Sequence, residues 1–442
     1  MSNALQTRSL FLTQVTTCLF LAGCANESAP PPSSVSSPSS MPAKAAVVVA
    51  TEEPLTEDEA KEFFGNLEKA IYAGDIDFVA NQMIDWNSIW KKATVGFRTN
   101  NAYREARTQF LLGGPHYMTH EGGEVRKIVD DVAAGGAFDL LRLHVVDGER
   151  RMLLRSANRE MRLRYLDVVV GRNEQGQPKI LDIYLMSSGE LISTILRREI
   201  ICIFQLMSTE TIENVKLDDE QNDFCKNHVI IHEMFQATTT GDFDEASRIY
   251  AALPDSIKTL KYVMLARLQA AWKHSDDAYL DACSEFRKVH SNDPCVDFAT
   301  WSSYFLKKDH AESLAAIDRI DQAVHGDPYL AVVRAYITLD AGDVEKAAQF
   351  ADQAIAADHT FIDAYWVKVR AALDKNDFQH AYELLCWLED ECRMEFDDLA
   401  SLPECADFIK SEYFQKWQDR HAQNTGNVPA QPSDETAPAV TE

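Results

Sequence analysis

The chain has 442 residues, with 43 Lys and Arg against 69 Asp and Glu, a formal charge of −26. That length gives room for two or three domains, each with its own core. The charge excludes a nucleic-acid role, which needs clustered Lys and Arg, and excludes docking on an anionic lipid surface by charge alone; such acidity keeps an exported protein soluble in crowded surroundings.

Residues 1–24 form an export leader. Arg8 carries its only positive charge, and Leu10 to Ala22 is a mostly apolar run interrupted by Gln14 and three threonines. The run is too short to span a bilayer as a helix. It closes on Leu21-Ala22-Gly23-Cys24, which resembles the bacterial lipobox. The resemblance implies that the Cys24 thiol takes a diacylglycerol and that the mature chain begins there. It also implies a lipid anchor in the cell envelope, facing the periplasm. Ala25 is not Asp, which by likeness to enterobacterial sorting favours the outer membrane. Residues 25–54 then make a Pro/Ser-rich tether that cannot build a core. The apolar stretch Leu191 to Met207 is broken by Arg197, Arg198 and Glu199, so no second membrane span is expected.

Residues 55–205 are expected to form an α+β domain. Thr56-Glu57-Asp58-Glu59 marks a helix start, and Phe63, Phe64, Leu67, Ala70 and Ile71 recur at helical spacing up to a stop at Gly74-Asp75. Further helices are expected around Phe78 to Trp90 and Ala102 to Leu112, followed by glycine pairs at 113–114, 122–123 and 135–136. Strands follow at Phe138 to Val146, Met152 to Arg155, Met161 to Val170 and Lys179 to Met186, with Asp147-Gly148 as a hairpin turn. With symmetric pairing at each turn, one face collects Leu141, Leu143, Val145, Met152, Leu154, Leu166, Val168, Leu181, Ile183 and Leu185. The other collects Arg142, His144, Glu149, Arg151, Arg155, Tyr165, Asp167, Asp182 and Tyr184. The first is a core, and the second meets water or a partner. This order of helices and then an antiparallel meander resembles the NTF2-like fold. That superfamily includes hydrolases, isomerases and non-catalytic modules, so the likeness does not choose a function.

Symmetric pairing sets Asp167 opposite Asp182. Such a carboxylate pair can make a general acid, or Arg142, Arg151 and Arg155 can simply balance it. His228 and His232 are four apart, a spacing that suits a metal, but no third ligand is evident and packing histidines are the plainer reading. Phosphate-loop, dinucleotide and nucleophile-elbow motifs are absent. Neither a cofactor, a metal nor an enzyme activity is expected. Outside the leader, Cys202, Cys225, Cys283, Cys295, Cys386, Cys392 and Cys405 follow no metal pattern and are expected as core residues with at most one disulfide.

After a connector at 206–225, residues 226–420 are helical with a countable period. Asp293-Pro294 and Asp327-Pro328 lie 34 residues apart, each announcing a helix start, and a further 34 reaches Ile362. The turns Lys308-Asp309, Gly342-Asp343 and Asn376-Asp377 recur, and Gly241-Asp242 is an upstream relative. Small residues at Ser313, Ala347 and Ala381 suit close helix crossings, and Ala335 with Val369, and Ala354 with Leu388, occupy matching places. This pattern resembles the tetratricopeptide repeat, with about five hairpins, a closing helix carrying Tyr413, Phe414 and Trp417, and a disordered tail at 421–442. The resemblance implies an all-α solenoid that binds a protein or peptide on its concave face, for which Arg334, Tyr336, Lys368 and Arg370 are the candidates. The expected function is a membrane-tethered envelope scaffold; a small-ligand receptor or hydrolase in the NTF2-like domain is the alternative.

Overall fold

The computed structural model describes residues 54–120, 123–158, 163–392, 394, 396 and 399–426; Cys24, almost all of the tether and the tail beyond 426 lie outside them. The chain divides into two compact units, one ending at His325 and one starting at Gly326.

The first unit opens with helix α1 (Glu57–Tyr72), where Thr56 and Glu59 form the anticipated capping box. A short α2 (Ile76–Phe78) runs into a π-helical turn at Val79–Met83, and α3 spans Trp86–Ala93. Helix α4 (Asn101–Thr119) does not stop at Gly113-Gly114-Pro115 as the glycine punctuation suggested. A Cβ on Gly114 would lie 2.8 Å from Trp86, so this glycine admits the indole against the helix. Helix α5 (Glu124–Ala133), between two glycine pairs, was not anticipated.

Five antiparallel strands follow in sequential order: β1 (Ala137–Val146), β2 (Glu149–Ala157), β3 (Leu163–Arg172), β4 (Pro178–Leu185) and the short β5 (Glu190–Leu191). Asp147 and Gly148 turn the first hairpin with φ of 51° and 82°, as a two-residue turn requires. Met152, Leu154, Leu166, Val168, Ile183 and Leu185 share one cluster with the helices. Two bulges change the rest. Leu140 pairs with Leu154 and Arg142 with Leu153, leaving Leu141 as the extra residue; Leu140, not Leu141, packs on the core, and Asp139 turns to the polar face. Leu181 is likewise extra, so Ile180 takes the core position.

Helix α6 (Ile192–Met207) leaves the sheet, and after a 3-10 turn at Thr209–Ile212 comes α7 (Asp219–Thr240). Cys202 of α6 is bonded to Cys225 of α7, the one disulfide the sequence allowed. The apolar cluster that begins at Leu55 continues through Phe224 and Phe235 to Ala270, so the sheet layer and the first hairpins share a core. Those hairpins pair α7 with α8 (Phe243–Ala252), α10 (Lys261–His274) with α11 (Asp276–Val289), and α12 (Val296–Leu306) with α13 (His310–Ala323); α9 (Asp255–Lys258) is a single turn.

The second unit holds α14 (Leu330–Asp340) on α15 (Val344–Ala357), α16 (Ile362–Asp374) on α17 (Phe378–Cys392), and the closing α18 (Glu412–Gly426). Helix α18 passes the boundary at 420 that composition indicated. Phe414 and Trp417 pack with Leu385 and Leu388.

Five hairpins therefore follow one another, and their turns behave alike. Gly241, Lys308, Gly342 and Asn376 have φ of 82°, 58°, 82° and 56°. Asp242, Asp309, Asp343 and Asp377 then each accept a backbone N–H three residues on. Ser313, Ala335, Ala347, Ala354, Val369, Ala381 and Leu388 are fully buried. The Asp-Pro pairs act slightly differently from expectation. Asp293 and Asp327 accept the N–H of Cys295 and Tyr329 in a turn, and the helices begin two residues after each proline.

Candidate interaction surfaces

The polar face of the sheet is built by alternate residues of β1 to β4, and it is largely buried: Arg151, Arg155, Tyr165, Asp167 and Asp182 are all under 10% exposed. Asp167 is the centre of a chain of charges. His144 Nε2 lies 2.6 Å and Arg151 Nη1 3.3 Å from its two oxygens. Arg151 also reaches Glu149 at 3.5 Å, and Lys92 of α3 meets Glu149 at 2.7 Å. Arg155 pairs with Asp139 at 2.5 Å, a contact that exists because the bulge at Leu141 swings Asp139 to this side. Arg142 is half-buried, and its Nε has no hydrogen-bond partner among the described residues.

The expected opposition of Asp167 and Asp182 is not present. Asp167 faces Tyr184, and Asp182 faces Val169. The loop after β3 closes as five residues, Asn173 to Gln177, with the Asn173 side chain accepting the N–H of Gln175 and of Gln177; that loop and the bulge at Leu181 move the partner by two positions. Asp182 instead accepts the Ser193 hydroxyl at 2.5 Å and its N–H at 3.2 Å, capping the first turn of α6. Burial pushes the Asp182 carboxyl above its ordinary range, against the pull of Ser193.

Tyr165 meets Phe298 of α12 edge to face, with ring centres 5.8 Å apart. The cavity beside them is about 10 Å³, near the lower limit for one water. Further along the same seam, Lys261 pairs with Asp293 at 3.0 Å, and Arg198 pairs with Glu190 at 2.6 Å while lying over the Tyr262 ring. His228 Nε2 is 2.7 Å from Glu199, and its ring stacks on that of His232. Desolvation lowers the His232 pKa, with His228 adding to it. Among the described residues no group of three or more His, Cys, Asp or Glu is placed to hold a metal.

In the second unit, Lys368 pairs with Asp352 at 2.7 Å and Arg370 with Glu404 at 2.8 Å. Tyr336 has its phenol pushed well up, first by desolvation and then by Asp363. Arg334 is half-buried. The partner carboxylates Asp352 and Glu404 were not singled out from sequence. Asp352 precedes Lys368 by 16 residues, roughly half the repeat, and the pair joins α15, the second helix of one hairpin, to α16, the first helix of the next.

No protein-family model, no curated protein and no solved structure matches the chain.

Proposed function

We propose that the protein is a membrane-tethered scaffold of the bacterial cell envelope, holding another protein or peptide through tetratricopeptide-like hairpins. The observation that carries this reading is the repeated turn: a left-handed residue, then a capping Asp, in four hairpins of the run. Stacked hairpins of this kind leave a long surface available for a partner. The address is supported by Leu21-Ala22-Gly23-Cys24 with its Pro/Ser tether, and by the Cys202–Cys225 bond, which belongs to an oxidising compartment such as the periplasm. Ala25 favours the outer membrane. The NTF2-like likeness of residues 55–205 rests on helices followed by an antiparallel sheet. In this reading that layer serves as a support, with Asp167 and Asp182 held in separate internal contacts. No cofactor and no nucleic acid is involved.

Three measurements test this. Cys24→Ser should release the protein from membranes or leave it unprocessed, and mass spectrometry of the wild-type protein should find a lipidated N-terminal Cys24. A mature chain that starts elsewhere without lipid removes the address. Crosslinking of the full chain in intact envelopes should then give a protein adduct mapping to the hairpins; adducts confined to residues 55–205 remove the scaffold role.

A further inference from the structure

The last hairpin carries a strip of aromatic surface. Tyr365 of α16 stacks on Trp387 of α17, with ring centres 4.0 Å apart and planes 21° from parallel. Ile362 and Leu384 stand one turn from them on the same helix faces, and all four side chains are only half-buried. The Tyr365 hydroxyl and the Trp387 indole N–H have no hydrogen-bond partner among the described residues. None of the four is charged, although Glu383, Asp390 and Glu391 of the same α17 are exposed.

Helix α18 carries the chain to the end of the hairpin where this strip lies. Tyr413 meets Tyr382 with ring centres 6.3 Å apart, and Arg420 pairs with Asp390, so α18 runs along α17 in the same direction. Trp417 and Trp366, the neighbour of Tyr365, both pack on Phe396. Counted from the Arg420–Asp390 contact at the rise of an α-helix, Gly426 lies about 14 Å along the axis beyond Trp387. Next in the chain come Asn427-Val428-Pro429-Ala430-Gln431-Pro432-Ser433, a stretch without charge.

We infer that this stretch docks in cis on the Tyr365–Trp387 pair as a turn of polyproline II helix, an inference independent of what the hairpins hold. Its way back to the rings is about 14 Å along α17 and about 10 Å, one helix diameter, across its end. That diagonal of about 17 Å takes about five or six residues at about 3.1 Å each, which brings Pro432 to the rings. Three residues complete a polyproline II turn, so Pro429 and Pro432 lie on one side of it and meet the strip together. Such a helix leaves its backbone carbonyls unpaired, and these are the acceptors that the Tyr365 hydroxyl and the Trp387 N–H lack. The exposed acids of α17 repel an acidic segment and would hold a basic one through charge. A neutral, proline-containing segment is held by the rings alone, and its docking is therefore insensitive to salt.

Two experiments test this. In the full chain, Gln431 is replaced by the photoreactive residue benzoylphenylalanine. Irradiation should give an intramolecular adduct within 362–365 or 384–387, unchanged by added salt and lost when Pro429 and Pro432 are both changed to Ala. Second, a labelled peptide of residues 427–433 is titrated by fluorescence anisotropy into the full chain and into a chain ending at Gly426. The shorter chain should bind it about tenfold more tightly, because in the full chain the segment already occupies the site at an effective concentration in the millimolar range. Tyr365→Ala in the shorter chain should remove the binding with the melting transition kept. Changing the two prolines to Ala in the peptide should do the same without touching the packed hairpins. Adducts elsewhere, equal binding by the two chains, no binding to the shorter chain at about millimolar peptide, or binding that survives loss of the prolines overturns the proposal.

Discussion

Asp182 on β4 accepts the Ser193 hydroxyl at 2.5 Å, and both side chains are buried where α6 leaves the sheet. A strand residue thus caps a helix that has no side-chain cap of its own. Burial is the strongest influence on this carboxyl and raises its pKa above 3.8. A raised folded-state pKa means the folded chain holds the proton better. The stability it contributes is complete below the unfolded pKa and is lost as pH rises through the folded one. Asp182→Asn should therefore flatten the fall in stability above about pH 4 seen by denaturant unfolding, and Asp182→Ala should cost about 1–3 kcal/mol. Identical pH slopes for wild type and Asp182→Asn would count against the assignment.

Arg151 is buried between Asp167 and Glu149. A sheet face that meets water or a partner, as the strand alternation suggests, would make its arginines dispensable for folding. The burial reverses that expectation. Arg151→Ala leaves Asp167 with a lost partner in a place water does not reach, and should cost about 3 kcal/mol or more in denaturant unfolding. A loss below about 0.5 kcal/mol, the level of a surface substitution, contradicts the burial.

Cys202 and Cys225 are 23 residues apart, so their bond closes a short loop between the sheet layer and the first hairpin. Its removal by Cys225→Ala should lower stability by about 3 kcal/mol through the freed loop entropy of the unfolded chain. Alkylation of the unfolded, unreduced protein followed by mass spectrometry should leave these two cysteines unmodified and label Cys283 and Cys405, which are free. Labelling of Cys202 or Cys225 shows that the bond is absent.

Ala347 is fully buried in α15, at the crossing of that helix with its neighbours α14 and α16. Ala347→Trp should overpack that crossing and destabilise the protein by about 3 kcal/mol. A melting temperature within a degree or so of wild type would show that the crossing is loose.

Much of this architecture was written locally. The turns at Gly241, Lys308, Gly342 and Asn376, the Asp caps that follow them, and the capping box at Thr56 depend on residues within one turn of each other. Their chemistry is visible in a linear string. The 34-residue period is legible for the same reason, as is the alternation that sorts Met152 and Leu154 from Arg151 and Arg155. Tertiary structure decided what joins distant segments. The continuation of α4 through Gly113-Gly114-Pro115 needs Trp86 beside Gly114. The partner of Arg155 needs the bulge at Leu141, and that of Asp182 needs the loop at Asn173 and the bulge at Leu181. A bulge shifts register without changing composition, so the two strand faces could be sorted from sequence while the pairs across them could not.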